Sequence, residues 1–231
     1  MSKGVKISGV NLPIEELHFS FITHKLRTEY GFIESSSKNM PLDNKNNIMP
    51  MYTYPCFEYL NSINWSGADV FEFGTGYSTI YWNRKGVNYH GVEHDSEWFN
   101  RIKGNNKNIF LKEEPKDYIK SISNYNKKFD VIVIDGVYRY DCVEPALNYV
   151  KDDGLIILDN SDWHKNTKEL LDKSDLIPVH FHGFKPLHVD SETTSCYIGR
   201  NFKRKAKSIL PMAGTIREQN LTDTKQLWVI E

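Results

Sequence analysis

The sequence predicts a doubly wound α/β fold, and three features predict it. From residue 69 onward short β-branched or aromatic runs alternate with amphipathic segments, the connections between them are short, and the runs VIVI (131–134) and LIIL (155–158) are apolar on both faces. Strand, helix, strand with short connections requires parallel strands joined by right-handed crossovers, because a two-residue turn cannot return a chain to a parallel neighbour. Runs apolar on both faces suit central strands covered by helices on each side.

The elements follow in chain order. A length of 231 residues suits one catalytic-size domain with a large core. Residues 1–50 form an N-terminal extension, in which Pro13 starts a helix whose Ile14, Leu17, Phe21 and Ile22 recur at helical spacing. Residues 35–47 (SSSKNMPLDNKNN), rich in Ser and Asn and broken by Pro41, read as a loop leading into the main domain, 51–202. A helix over 54–63 opens that domain. Strands are expected at 69–73, 89–94, 108–113, 129–136 and 154–160, and helices at 78–84, 96–103, 115–123, 139–150 and 164–172. Two further strands, near 176–181 and 195–201, have no helix between them and read as a hairpin, which gives seven strands with an antiparallel last one. Residues 203–231 receive no role, and their basic run at 203–207 reads as a solvated surface.

Composition narrows the function classes. Hydrophobic residues are 39% and charged residues 26% of the chain, enough apolar surface for a packed core. Lys+Arg 29 against Asp+Glu 30 leaves a net charge of −1, without the basic field of a duplex-nucleic-acid binder. Cys56, Cys142 and Cys196 lie far apart with no CxxC pair, so neither a disulfide framework nor a thiolate zinc site is indicated. No run approaches the roughly 18 apolar residues of a membrane span, and the first residues lack a signal-peptide core. The expectation is a cytoplasmic protein with a small-molecule or carbohydrate partner, no nucleic acid and no membrane; a homo-oligomer is left open.

The segment DVFEFGTGYSTIYW puts Gly74 and Gly76 after a buried-looking strand and before a helix, where glycines permit a tight turn and close approach of a ligand. The alternative is a turn whose glycines serve chain geometry alone. In a parallel sheet the ligand crevice lies beyond the carboxyl strand ends, and the next strand ends in GVEHD, which brings Glu93 to the same edge about 20 residues on. A carboxylate there can accept both ribose hydroxyls. A pyrophosphate site would want glycine or alanine where Thr79 stands, and Glu72 would repel it. The same carboxylate suits an ammonium group.

Glu-x-Gly-x-Gly after the first strand, with an acidic residue ending the second, resembles the cofactor motifs of class I S-adenosylmethionine (SAM) methyltransferases. The resemblance spans residues 69 to about 201, FEFGTGYST being its most specific string. It implies a Rossmann-like sheet and SAM as cofactor. Gly74, Thr75, Gly76 and Ser78 would then line the methionine moiety, with Glu72 near its amino group or a water bound to it. Glu93 would hold the ribose with Asp95 nearby, and Glu113, Glu114 or Asp117 would reach the adenine. Asp135 is placed in the cofactor set as well.

A second constellation ends the later strands: Asp135 closes one, and Asp159 with Asn160 closes the next, one crossover later. Three oxygen-bearing side chains at neighbouring strand ends suit a hard divalent cation such as Mg²⁺; the alternative is that the aspartates cap turns or helices. The arrangement resembles the metal site of catechol and caffeoyl-CoA O-methyltransferases and, in outline, macrocin-type sugar O-methyltransferases. The chain departs from the catechol pattern in carrying Tyr138, then Arg139, where those enzymes have a lysine base. Histidine is the next choice of base near neutral pH: His164, after the Asp-Asn pair, comes first and His182, alternating with His180 on one strand face, second, beside Asp135. The expected activity is SAM-dependent methylation of a hydroxyl on a small molecule or sugar, with a divalent cation assisting. The competing readings are a nicotinamide-dependent oxidoreductase and a non-catalytic SAM-binding module.

Overall fold

The computed structural model describes residues 4–7, 10–104, 106, 108–207 and 212. Among these, a two-stranded antiparallel ribbon, β1 (Gly4–Ile7) and β2 (Val10–Pro13), leads into α1 (Ile14–Thr28), α2 (Phe32–Lys38) and α3 (Tyr54–Asn61). The main domain then alternates β3 (Asp69–Phe73), α4 (Tyr77–Asn83), β4 (Asn88–Glu93), α5 (Ser96–Ile102), β5 (Ile109–Leu111), α6 (Pro115–Lys120), β6 (Phe129–Ile134), α7 (Val143–Tyr149), β7 (Val150–Leu158) and α8 (Lys165–Asp172). It closes with the hairpin β8 (Ile177–Gly183) and β9 (Glu192–Ile198).

These strands form a sheet of order β5-β4-β3-β6-β7-β9-β8, parallel except for β9, which runs antiparallel to both β7 and β8. The two-sided apolar strands behave as their sequences require. Along β6, Val131 and Val133 pack on one face with Trp65, Trp82 and Leu60, while Ile132 and Ile134 pack on the other with Phe71, Phe73 and Tyr118. Alternation on a fully buried strand thus feeds two separate cores.

Several expectations are corrected. Part of the predicted loop at 35–47 is helical: α2 runs through Lys38, bracketed by the left-handed residues Gly31 (φ 65°) and Asn39 (φ 48°). The periodic stripe of α1 does make a helix, but none of its residues is buried, and Phe19, Phe21 and Ile22 are exposed. The helix expected from 139 starts only at Val143, because Arg139 donates back to the Gly136 and Asp135 carbonyls and holds the preceding residues as a turn. The basic run is solvated at Lys203, Lys205 and Lys207 but anchored at Arg204. Arg204 pairs with Asp130 at 2.6 Å and lies over the Trp65 ring, and the Asn64 N–H donates to the Lys205 carbonyl, so this segment closes the amino edge of the sheet. No helix among the described residues is long and apolar enough to cross a membrane.

Candidate active site

The chain leaves β3, adds β4 and β5 on one side, then returns to place β6 on the other, so the strand order reverses between β3 and β6. Loops leaving the two strands there part to opposite faces of the sheet and open a crevice. It is a cavity of about 460 Å³, lined by Gly74, Thr75, Gly76, Ser78, Glu93, Asp95 and Asp135, together with Met51, Tyr77, His94, Trp98, Gly136 and Val137. The volume falls in the range of small-molecule sites, about 300–1,000 Å³. Glu113, Glu114 and Asp117 are exposed and outside this lining. Trp98 was not foreseen; its indole N–H donates to the Thr75 carbonyl at 2.6 Å and its ring meets Tyr77 edge-on. The signal was an aromatic residue in the first turn of the helix that Asp95 caps by accepting the Trp98 amide at 2.7 Å.

Two buried carboxylates shape the glycine turn from below. Glu93 accepts the Thr75 N–H at 2.9 Å on one oxygen and the His94 and Asp95 N–H groups at 2.8 and 3.0 Å on the other, tying the β3–α4 turn to the β4–α5 turn. With Glu93 so engaged, the exposed Asp95 is the more accessible of these two β4–α5 carboxylates in the lining. Glu72 is fully buried; one oxygen accepts the Thr79 and Tyr89 hydroxyls, and the other, Oε1, has no partner among the described residues. Burial outweighs the lowering influence of the nearby Ser78, Tyr89 and Thr79 hydroxyls and pushes its pKa up to about 7. The Gly76 N–H donates to Thr79 Oγ1 at 3.0 Å, so the turn is wired through Thr79 to Glu72.

Asp135, Asp159 and Asn160 converge at the neighbouring strand ends, as expected, but two protein cations stand among them. Arg139 donates to the Asp135 carboxylate at 3.1 Å, to the Asp135 and Gly136 carbonyls, to the Asp159 carbonyl, and at 3.5 Å to Asn160 Oδ1. Lys185 pairs with Glu192 and lies 3.9 Å from Asp159 Oδ2, while Asp159 Oδ1 accepts the Thr194 hydroxyl at 2.6 Å. Asn160 Nδ2 donates to Glu192 at 2.5 Å. The expectation of Mg²⁺ is therefore corrected: the three donors are spent on Arg139, Thr194 and Lys185, and a divalent ion does not fit the set as it stands. No group of three or more His, Cys, Asp or Glu side chains among the described residues is disposed to hold a metal. Burial pushes Asp135 up to about 6 and Asp159 up to about 7, with their mutual repulsion adding to the rise for Asp159.

The histidines fall outside this cluster. His164 precedes α8, half-buried, and its pKa is pushed below the ordinary histidine value by burial and then by the Arg139 charge. His182 is exposed on β8, with Nδ1 2.8 Å from the Thr193 hydroxyl, and His180 pairs likewise with Ser195. Sequence reasoning missed Lys185, Glu192 and Thr194, which come from the last hairpin and carry no motif. The loops after β6, β7 and β8 each hold a non-glycine residue at positive φ: Tyr138 (54°), Asn160 (49°) and Leu187 (68°). Such conformations cost free energy and gather at functional loops. The same loops expose Tyr138, Tyr140, Trp163 and Phe184.

The sheet order, the antiparallel β9 and the crevice between β3 and β6 are those of a doubly wound, Rossmann-like sheet with an antiparallel last strand, as the sequence predicts. Similar solved structures include a methyltransferase from Pyrococcus furiosus (17% identity over 79% of this chain and 98% of that one, TM-score 0.47). They also include the O-methyltransferase TomG from Streptomyces achromogenes in complex with SAM (14%, 63% and 77%, TM-score 0.47). A third is precorrin-6y C5,15-methyltransferase from Geobacter metallireducens (13%, 70% and 95%, TM-score 0.47). No protein-family model and no curated protein matches the chain.

Proposed function

We propose that the protein is a SAM-dependent methyltransferase acting on a hydroxyl of a small molecule or sugar. The observation that carries this reading is the unpartnered Glu72 Oε1 beneath a glycine turn that opens on a ligand-sized cavity. A buried carboxylate oxygen without a donor is costly. An ammonium group, directly or through one water, satisfies it, whereas a pyrophosphate is repelled. The residues thus fit the amino end of SAM, with Gly74 and Gly76 letting the backbone approach it, Asp95 facing the ribose side, and Trp98 and Tyr77 forming an aromatic wall. When bound, SAM supplies a methyl group made electrophilic by its sulfonium.

The chain's own part in the chemistry lies at the rim. Asp135 lines the cavity and its side chain keeps 20% exposure, and burial holds its pKa at about 6, the range of an effective general base near neutral pH. Arg139 fixes its orientation from behind, so Asp135 rather than His164 or His182 is the group best placed to accept the proton of an acceptor hydroxyl. The strained, aromatic-bearing loops after β6, β7 and β8 would receive the acceptor, an apolar ring face or sugar face stacking on them. Isothermal titration with S-adenosylhomocysteine tests the reading. Saturable one-site binding supports it, whereas binding of NADH in its place would favour the oxidoreductase alternative.

A further inference from the structure

We infer that Lys185 is the resident cation of the acceptor edge, standing where a divalent ion would otherwise be held, and that it works as a positioning residue on Asp159 and Glu192. The inference takes from the proposed function only the statement that this edge receives the acceptor. Three carboxylates, Asp135, Asp159 and Glu192, are gathered at adjacent strand ends, and the last two are almost fully buried. Buried carboxylates without counter-charge neutralise or drive the strands apart. Arg139 serves Asp135 and the strand-end carbonyls with its planar fork. Lys185 serves the other two: its compact ammonium pairs with Glu192 and lies 3.9 Å from Asp159 Oδ2.

Its setting is that of an internal counter-ion. The Lys185 side chain is 5% exposed and the Glu192 side chain 4%, and the ammonium lies 5.6 Å from the centre of the Trp163 ring, a further cation-stabilising contact. The residue is delivered by the loop between β8 and β9, two positions before the strained Leu187, and not by a strand. A divalent ion of the Mg²⁺ class needs as few as one or two carboxylates plus waters. Asp159 Oδ2 and Glu192 Oε2, both near one ammonium nitrogen, would meet that need if the ammonium were gone, and Asn160 already touches Glu192 at 2.5 Å. Lys185 therefore takes up the carboxylates that would otherwise recruit a metal. An acceptor here need not chelate through vicinal oxygens; a single hydroxyl suffices.

The test measures Mn²⁺ uptake by electron paramagnetic resonance on the full chain, without cofactor or acceptor, so it can fail independently of the SAM reading. The wild type is expected to leave the free-Mn²⁺ signal unchanged, and Lys185→Ala to take up one ion per chain and unfold at a higher temperature with Mn²⁺ than with EDTA. Should Lys185→Ala not fold alone, refolding of it and of Lys185→Ser in Mn²⁺ is expected to recover the fold. Stoichiometric uptake by the wild type that Asp159→Asn abolishes would overturn the inference. So would failure of both Lys185 variants to bind the ion.

Discussion

Gly74 and Gly136 meet across the switch point so closely that a Cβ on Gly74 would lie 2.2 Å from the Gly136 Cα. The two turns that bound the cavity, one after β3 and one after β6, rest on each other through backbone alone. Gly74 also holds φ 86°, a left-handed conformation natural to glycine. Gly76 is different: a Cβ there would find its nearest neighbours, Trp98 and Ser78, at 3.7–3.9 Å, ordinary contact distance. Both neighbours line the cavity.

The two glycines should therefore separate fold from ligand. Gly74→Ala is expected to destabilise by about 3 kcal/mol or more, the upper range for one substitution, in urea unfolding. Gly76→Ala should unfold like the wild type yet bind S-adenosylhomocysteine at least about tenfold more weakly, the equivalent of roughly 1.4 kcal/mol. Equal loss of stability in both variants would contradict this division.

Glu72 carries a pH signature. Its folded pKa of about 7 stands above the ordinary glutamate value of 4.5, so the fold prefers it protonated. The stability this contributes is fully present below about pH 4.5 and is lost as pH rises through 7. Glu72→Gln, neutral throughout, should gain on the wild type by on the order of 2 kcal/mol between pH 5 and pH 8.5. Denaturant midpoints at the two pH values read the difference directly, and a constant offset would contradict the burial argument.

Asp135 should act as the base. Methyl transfer to a hydroxyl acceptor is expected to fall about 10²–10⁴-fold in Asp135→Asn, the usual worth of a general base, while S-adenosylhomocysteine binding persists. Wild-type turnover should rise with pH through about 6, where the carboxyl ionises. His164→Ala and His182→Ala should retain most turnover, and a collapse in either would move the base to that histidine.

Much of the fold was legible because the physics was local. The β6 and β7 runs announce two-sided burial, and the glycine turn, Glu72 and Glu93 lie within one strand-turn-helix-strand stretch. The Asp135 and Asp159 strand ends were legible for the same reason. Their partners were not: Lys185, Glu192 and Thr194 reach them across the sheet from the last hairpin, and nothing in KPLH or ETT marks side chains that will meet a strand end far back along the chain. A metal was the expected neutralising charge, and Arg139 and Lys185 supply it instead. The anchoring role of Arg204 was hidden likewise, since its pairing with Asp130 is a long-range fact that a run of basic residues does not reveal.

The central claim is that the Gly74–Gly76 turn above Glu72 holds SAM, and thermal unfolding with S-adenosylhomocysteine, in Mg²⁺ and in EDTA, tests it most directly. A ligand at 100 times its dissociation constant adds about 2.7 kcal/mol, or roughly 5–10 °C at this chain length. The account predicts a rise of that size, the same in EDTA as in Mg²⁺ and cut to about half or less in Gly76→Ala. No rise in folded wild-type protein at any attainable concentration would contradict it.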